Sequence, residues 1–290
     1  METNSLSSGF GLEVSGVDIG VSLTDELFIN LESIFYINQV LVLRAQSLTP
    51  SAFLNFARRL GPPQPHVIDQ FHHPELADIL ILSNVIKNGQ PTGLQDAGTY
   101  FHTDYSYLSI PARATTLYSI ESPQEGGQTL FANQQEAYDD LPSSLKKQIE
   151  PLYAIHQYGN RHDTNEKSRT VASPLNEAQK EKMPTILHKI ARTHPITSRK
   201  SLYAVSGSSI GIEGMPKDEA LDLLDQLARH STQPKYQLSL SYGCGDVVVW
   251  DNSSLLHSAT LTDPIFHRTL WRVTVLETVK SAFSRGLMPN

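Results

Sequence analysis

Gly243-Cys244-Gly245-Asp246-Val247-Val248-Val249-Trp250-Asp251-Asn252-Ser253-Ser254-Leu255-Leu256-His257 is the stretch from which the fold is read. Its first four residues form a tight turn that feeds a strongly apolar strand at 247–250, and a histidine follows shortly after. Further strands lie on either side, at 236–240 and at 269–278, the latter with Leu270, Val273 and Val275 among polar neighbours. Upstream, 79–82 reads as a buried strand, and 114–120 and 128–133 as a pair joined by a turn at Pro123, Gly126 and Gly127. Helices are fewer. Thr24 caps a segment with Leu27, Leu31 and Ile34 at helical spacing, which runs straight into Val40-Leu41-Val42-Leu43. Thr49 as N-cap, Pro50 at the first helical position and Gly61 past the end bracket a second helix carrying Phe53, Leu54 and Phe56. A third spans 217–230 on Leu221, Leu224 and Leu227. These helices do not alternate with strands as a doubly wound parallel sheet requires. The pattern is that of a mainly β sandwich or barrel with helical insertions.

Composition narrows the function. The 290 residues, 39% of them hydrophobic, suffice for one sizeable domain over 1–290, and no repeat or linker divides them. Thirty acidic against 23 basic residues give a net charge of −7, which removes the electrostatic footprint of a nucleic-acid-binding protein. Residues 1–16 lack the basic and apolar regions of a secretory signal, and no apolar run approaches a membrane span, so no membrane partner and a cytoplasmic location are expected. Cys244 is the only cysteine. It excludes an intramolecular disulfide and any thiolate-rich cluster, and its place in the turn marks it as structural rather than nucleophilic.

Any metal must therefore be held by nitrogen and oxygen. Among eleven histidines, spacing selects His102. In His102-Thr103-Asp104 an imidazole and a carboxylate stand two residues apart, so an extended backbone projects both to one face. A distant second imidazole would complete a facial triad, which suits non-haem iron(II) with open positions for a bidentate cosubstrate and dioxygen; zinc hydrolases use the same ligand types. His257 follows the apolar strand and is itself followed, eleven and fifteen residues later, by Arg268 and Arg272. Arginines four apart on a strand share a face. Burying two guanidinium groups there is costly unless each meets an anion.

With these residues in place, the chain resembles the taurine dioxygenase / 2,4-dichlorophenoxyacetate dioxygenase family, TauD/TfdA, of iron(II)/2-oxoglutarate oxygenases. The resemblance runs from about Gly11 to Lys280, the core of the domain. It is carried by Gly11-Leu12-Glu13-Val14-Ser15-Gly16-Val17-Asp18, Phe56-Ala57-Arg58-Arg59-Leu60-Gly61, Phe101-His102-Thr103-Asp104 and Gly126-Gly127-Gln128-Thr129. Ala137-Tyr138-Asp139-Asp140-Leu141-Pro142, Arg192-Thr193-His194-Pro195 and Trp250-Asp251-Asn252 continue it. The resemblance implies a double-stranded β-helix (jelly roll) of the clavaminate synthase-like kind.

It further implies that His102, Asp104 and His257 bind Fe(II), that Arg268 and Thr129 bind the distal carboxylate of 2-oxoglutarate, and that His66 and Arg272 contact the primary substrate. The implied chemistry consumes 2-oxoglutarate and O2, releases succinate and CO2, and oxidises a C–H bond, with hydroxylation as the default. The expected substrate is a small anionic molecule bearing a carboxylate, sulfonate or sulfate, and the family implies a homo-oligomer of unspecified size. Gly98 departs from the pattern, since taurine-specific members carry asparagine there. The segments 68–73, 87–99 and 157–173 are expected to shape the substrate pocket. His194 is read as structural, and His156 and His188 carry no spacing that argues for a site. The competing reading is an inactive or differently catalytic metal-binding jelly roll, either a zinc hydrolase or a binding protein; the arginine and threonine pair favours the oxygenase.

Overall fold

Thr24 accepts a hydrogen bond from the Leu27 amide and starts the helix Asp25–Asn38, which ends on Gln39 in the left-handed region and passes directly into the strand Val40–Leu43. Thr49 caps Pro50–Leu60 in the same way, as the Thr-Pro pair predicts. The computed structural model describes residues 1–6, 9–95, 97–158 and 184–278; the expected pocket segment 157–173 lies, beyond Tyr158, outside the described residues.

Both helices lie on a seven-stranded sheet ordered Glu2–Ser5, Leu12–Ser15, Val40–Leu43, Val247–Asp251, Ala112–Glu121, Thr269–Leu276, Leu80–Ser83. Its pairings are antiparallel except that of Leu12–Ser15 with Val40–Leu43. Phe28, Leu31 and Phe35 of the first helix and Phe53, Leu54 and Leu60 of the second pack against Leu41, Leu43, Val247, Val249, Val273 and Val275. The opposite face presents Val40, Val42, Leu117, Val248, Trp250 and Leu270 to Phe131, Leu238, Leu240 and Leu255 of a second sheet. With both faces covered, Val40–Leu43 and residues 247–250 have to be apolar without interruption.

The second sheet is Gln237–Leu240, Thr129–Asn133, Leu255–Ala259. Its outer side, at Ala132 and Leu256, is closed by the helix Lys217–Ser231 through Ala220, Leu224 and Leu227. The chain crosses between the sheets repeatedly: Ala112–Glu121 to Thr129–Asn133, then Gln237–Leu240 to Val247–Asp251 to Leu255–Ala259 to Thr269–Leu276. This winding is the double-stranded β-helix that the sequence led us to expect.

One sequence expectation fails. The strands at 114–120 and 128–133 are not a hairpin, because Ala112–Glu121 pairs with Val247–Asp251 and Thr269–Leu276, whereas Thr129–Asn133 pairs with Gln237–Leu240 and Leu255–Ala259. Gly126 and Gly127, both at positive φ, carry the chain from one sheet to the other instead of folding it back. Apolar patterning shows that a strand is buried but not whether its neighbour lies beside it or across the core.

Candidate metal centre

His102 and His257 exchange backbone hydrogen bonds, each amide donating 2.9 Å to the other's carbonyl. The His102-Thr103-Asp104 segment is thereby docked against the edge of Leu255–Ala259, and the two imidazoles of this directly opposed pair stand with centroids 4.2 Å apart. Asp104 then turns inward. Its Oδ1 is 3.7 Å from His102 Nε2 and its Oδ2 3.6 Å from His257 Nε2, and one ligand atom from each residue falls within 4.8 Å of the others.

Protonation favours a metal. His102 Nδ1 lies 2.8 Å from the Tyr100 carbonyl, which can only accept, so the proton is on Nδ1 and Nε2 offers its lone pair. Burial, followed by the neighbouring His102, holds His257 well below the usual imidazole range and therefore neutral. Burial alone would raise the Asp104 carboxyl; the Arg272 guanidinium and then His257 outweigh it, and the group is held well below the usual carboxylate range. Two imidazoles and a carboxylate anion, with no sulfur donor, fit Fe(II).

The surroundings fix these ligands. Thr115 Oγ1 donates to Asp104 Oδ2 (2.6 Å) and accepts from Asn252 Nδ2 (3.0 Å), whose Oδ1 accepts from the Asp104 amide (3.3 Å) and Trp250 Nε1 (3.2 Å). Glycine is required on both sides of His102. A Cβ on Gly98 would stand 2.6 Å from His102 Cε1, and one on Gly207 2.7 Å from His102 Cβ. Gly98 is thus more than an exception to a family pattern, because the imidazole occupies the space any side chain would need.

Arg268 and Arg272 both line the pocket that His102 and His257 enter, together with Leu82, Leu117, Thr129 and Trp250. Arg268 Nε donates to the Gly127 carbonyl (3.2 Å) and its guanidinium carbon lies 5.9 Å from the Tyr242 ring centre. A Cβ on Gly127 would be 2.9 Å from Arg268 Cδ, which explains the glycine before the Thr129 strand. Thr129 Oγ1 and the Tyr242 hydroxyl are 2.6 Å apart.

Arg272 lines the pocket and also has a protein partner. Its Nη2 donates to Asp104 Oδ1 (2.6 Å) while its Nε donates to Thr274 Oγ1 (3.1 Å). Asp246 pairs with Arg44 and Asp251 with His194. A carboxylate has two oxygens with several acceptor sites, so one residue can serve a cation and a metal together. His66 is not among the residues lining the pocket. Its ring lies 6.1 Å from that of Tyr105, over which the Arg272 guanidinium stands at 5.7 Å.

Reading the sequence missed Tyr242, Thr115 and Thr274, which orient Thr129, Asp104 and Arg272. A buried tyrosine or threonine in a strand looks like any other core residue, and no spacing signals it. His194 is structural as expected: Nδ1 accepts from the Ile196 and Thr197 amides, so Nε2 carries the proton and donates to Asp251 Oδ2 (2.9 Å).

The chain is 34% identical over 251 residues to an alpha-ketoglutarate-dependent 2,4-dichlorophenoxyacetate dioxygenase of Burkholderia sp. (strain RASC), covering 82% of this chain and 81% of the relative. It is 30% identical over 284 residues to the enzyme of the same name from Cupriavidus pinatubonensis, covering 94% and 97%. Among solved structures, AAD-2 in complex with Mn(II) and N-oxalylglycine superimposes with a TM-score of 0.79 at 27% identity, over 97% of this chain and 99% of that one. The family model described as taurine catabolism dioxygenase TauD, TfdA family, matches residues 2–274. The chain therefore belongs to the TauD/TfdA family and is a 2-oxoglutarate-dependent dioxygenase working with Fe(II) and O2.

Proposed function

We propose that this dioxygenase oxidises, by hydroxylation, a C–H bond of a small organic acid, and that Arg272 receives the acid. In this reading His102, Asp104 and His257 hold Fe(II), while Arg268 and Thr129 grip the distal carboxylate of 2-oxoglutarate. The Tyr242 hydroxyl, 2.6 Å from Thr129 Oγ1, can donate to it and so leave the threonine proton free for that carboxylate. Bound Fe(II) supplies the activation of O2 that is coupled to conversion of 2-oxoglutarate to succinate and CO2. The protein positions the carbon to be oxidised and screens the site from water with Leu82, Leu117 and Trp250.

The observation that carries the substrate class is a second guanidinium lining the same pocket as the first. Asp104 offsets Arg272 only while its charge is not shared with a metal. With a divalent ion on Asp104 and a dianionic cosubstrate on Arg268, the two neutral histidines leave one positive charge in excess, which a monoanionic substrate cancels. His66 contributes from the Tyr105 side. Its Nδ1 accepts from the Ile68 amide (3.1 Å), and burial followed by Arg272 depresses its pKa to about 3, so it is a neutral imidazole with Nε2–H available to donate. Relatives named for 2,4-dichlorophenoxyacetate and (S)-phenoxypropionate supply test compounds.

The experiment measures succinate formation with Fe(II), 2-oxoglutarate and O2 against phenoxyacetic and phenoxypropionic acids and their methyl esters. Acids should stimulate turnover and the neutral esters should not; equal stimulation by both rejects the assignment of Arg272. In parallel, Arg268→Ala should keep metal and weaken 2-oxoglutarate by about a hundred-fold or more, since breaking a desolvated ion pair costs roughly 3–5 kcal/mol.

A further inference from the structure

Two histidines with no spacing that marks a site stand behind the metal-binding segment. His156 and His188 belong to the three-stranded sheet Ile186–Lys189, Tyr153–His156, Ser209–Ile212, and their rings are 5.5 Å apart. His188 Nε2 donates to the Leu108 carbonyl (3.0 Å). His156 Nδ1 lies 3.2 Å from Ser208 Oγ, which is 2.5 Å from Ser106 Oγ, which in turn donates to the Thr103 carbonyl (3.4 Å). Thr103 stands between the two ligands His102 and Asp104. Gly207, beside Ser208, is the residue whose backbone packs against His102.

Counting protons fixes the direction of this chain. Ser106 has one proton and gives it to a carbonyl, so Ser208 must donate to Ser106. Ser208 Oγ then has only lone pairs for His156, and the His156 proton is on Nδ1. His156 Nε2 is consequently a bare acceptor, in a residue with no exposed surface, and no atom of the described residues donates to it. Two further groups nearby are likewise buried without partners among the described residues. Ser209 is the direct strand partner of His156, so its side chain projects to the same face; Tyr203 lies 6.3 Å from His156, ring to ring. Each hydroxyl has a proton to donate, and neither can be left unpaired at no cost, since a buried unsatisfied group costs about 1–3 kcal/mol.

We infer that His156 Nε2, Tyr203 Oη and Ser209 Oγ hold a buried water, and that this water and the His156–Ser208–Ser106 chain position the metal-binding segment. One water satisfies all three groups: it accepts from Tyr203 and Ser209 and donates to His156. Burial holds His156 neutral, with a pKa near 3, as the chain of donors requires. His156 never touches the metal; it is a positioning residue that acts through Ser208 and Ser106 on Thr103. The inference rests on the assignment of His102 and Asp104 as ligands.

The test combines a crystal structure of the full chain at a resolution that shows ordered water with Mn(II) titrations of variants. Density for a water within hydrogen-bond reach of the three atoms is expected; a dry site overturns the proposal. His156→Phe, which keeps an aromatic ring and removes both nitrogens, should weaken Mn(II) by about tenfold or more, as loss of supporting hydrogen bonds around a metal site does, while His156→Gln should restore part of it. Tyr203→Phe, which removes one hydroxyl and preserves the ring, tests the water alone and should give a smaller loss in a protein that folds. His102→Ala is the control. If it binds Mn(II) normally, the ligand assignment fails; if it loses Mn(II) while both His156→Phe and Tyr203→Phe retain wild-type affinity, the ligand assignment stands and the positioning role is wrong.

Discussion

Gly98 and Gly89 have almost the same left-handed backbone, at φ +72 and +75, but different surroundings: an added Cβ meets the His102 ring at the first and nothing within 4 Å at the second. Alanine at either position is strained by roughly 1–2 kcal/mol. Only at Gly98 does it also push on the imidazole, at 2.6 Å from Cε1 and 3.2 Å from Nε2. Gly98→Ala should therefore weaken Mn(II) by about tenfold or more, in the range found when support of a metal ligand is lost, whereas Gly89→Ala should lower stability and leave Mn(II) affinity unchanged. Equal Mn(II) affinity in the two variants would show that His102 can move aside. This contrast also marks what the sequence could tell. His102, Asp104 and His257 were legible because ligand chemistry restricts residue type and spacing. Gly98 looked like a lost contact, since nothing in the chain shows that residue 98 abuts residue 102's ring. The Arg272–Asp104 pair was hidden for a related reason: charge complementarity names suitable partners, and only the fold selects among them.

At the scale of elements, the helix Pro50–Leu60 shows how local signals and packing divide the work. Thr49, Pro50 and Gly61 were sufficient to place its ends, because caps act through the nearest backbone groups. Where the helix packs was not legible. Phe53 enters an aromatic group with Tyr118 (5.8 Å) and Trp271 (6.3 Å) on the outer face of the large sheet, opposite to the face that holds the metal pocket. Thr49→Ala should cost about 1 kcal/mol, and Phe53→Ala, which empties a fully buried site, about 3–5 kcal/mol. Chemical denaturation gives both numbers, and Mn(II) affinity measured below the transition should be unaffected in each. A loss of Mn(II) affinity in the well-folded Thr49→Ala protein would mean that this helix reaches the metal centre through the sheet. The mistaken hairpin belongs to the same scale. Strand existence follows from apolar runs, but the partner of Ala112–Glu121 depends on a crossing between sheets that no local pattern encodes.

For the molecule as a whole, several histidines are kept neutral by burial, and this makes stability depend on pH. Burial depresses His156 to about 3 and His257 well below the ordinary value, with His102 adding to the effect on the second. His66 and His188 are depressed too but partly exposed, so solvent screening reduces their share. A histidine whose folded pKa is lowered binds its proton more readily in the unfolded chain. Its contribution is therefore neutral above the unfolded pKa of about 6.5 and becomes destabilising as pH falls below it, continuing until the folded pKa is reached. Between pH 6.5 and 5.5 each fully buried histidine should cost the metal-free protein about 1 kcal/mol, giving roughly 2 kcal/mol from His156 and His257 together. Asp104 acts in a lower window. Its depressed pKa contributes stability that is present above the unfolded carboxylate value of about 3.9 and is lost only as pH falls through the folded one, so it leaves the range from 6.5 to 5.5 untouched. Denaturation of chelator-treated protein across pH 7.5 to 5.5 measures the slope. His156→Phe should remove one histidine's share of it, about 1 kcal/mol over that unit. Mn(II) should raise the whole profile without steepening it through His257 or Asp104, because both already stand deprotonated in the metal-free fold across this range. A flat profile in the metal-free protein, or an unchanged slope in His156→Phe, would mean that the buried histidines find protonated states as comfortable as neutral ones and that the donor directions assigned to them are wrong.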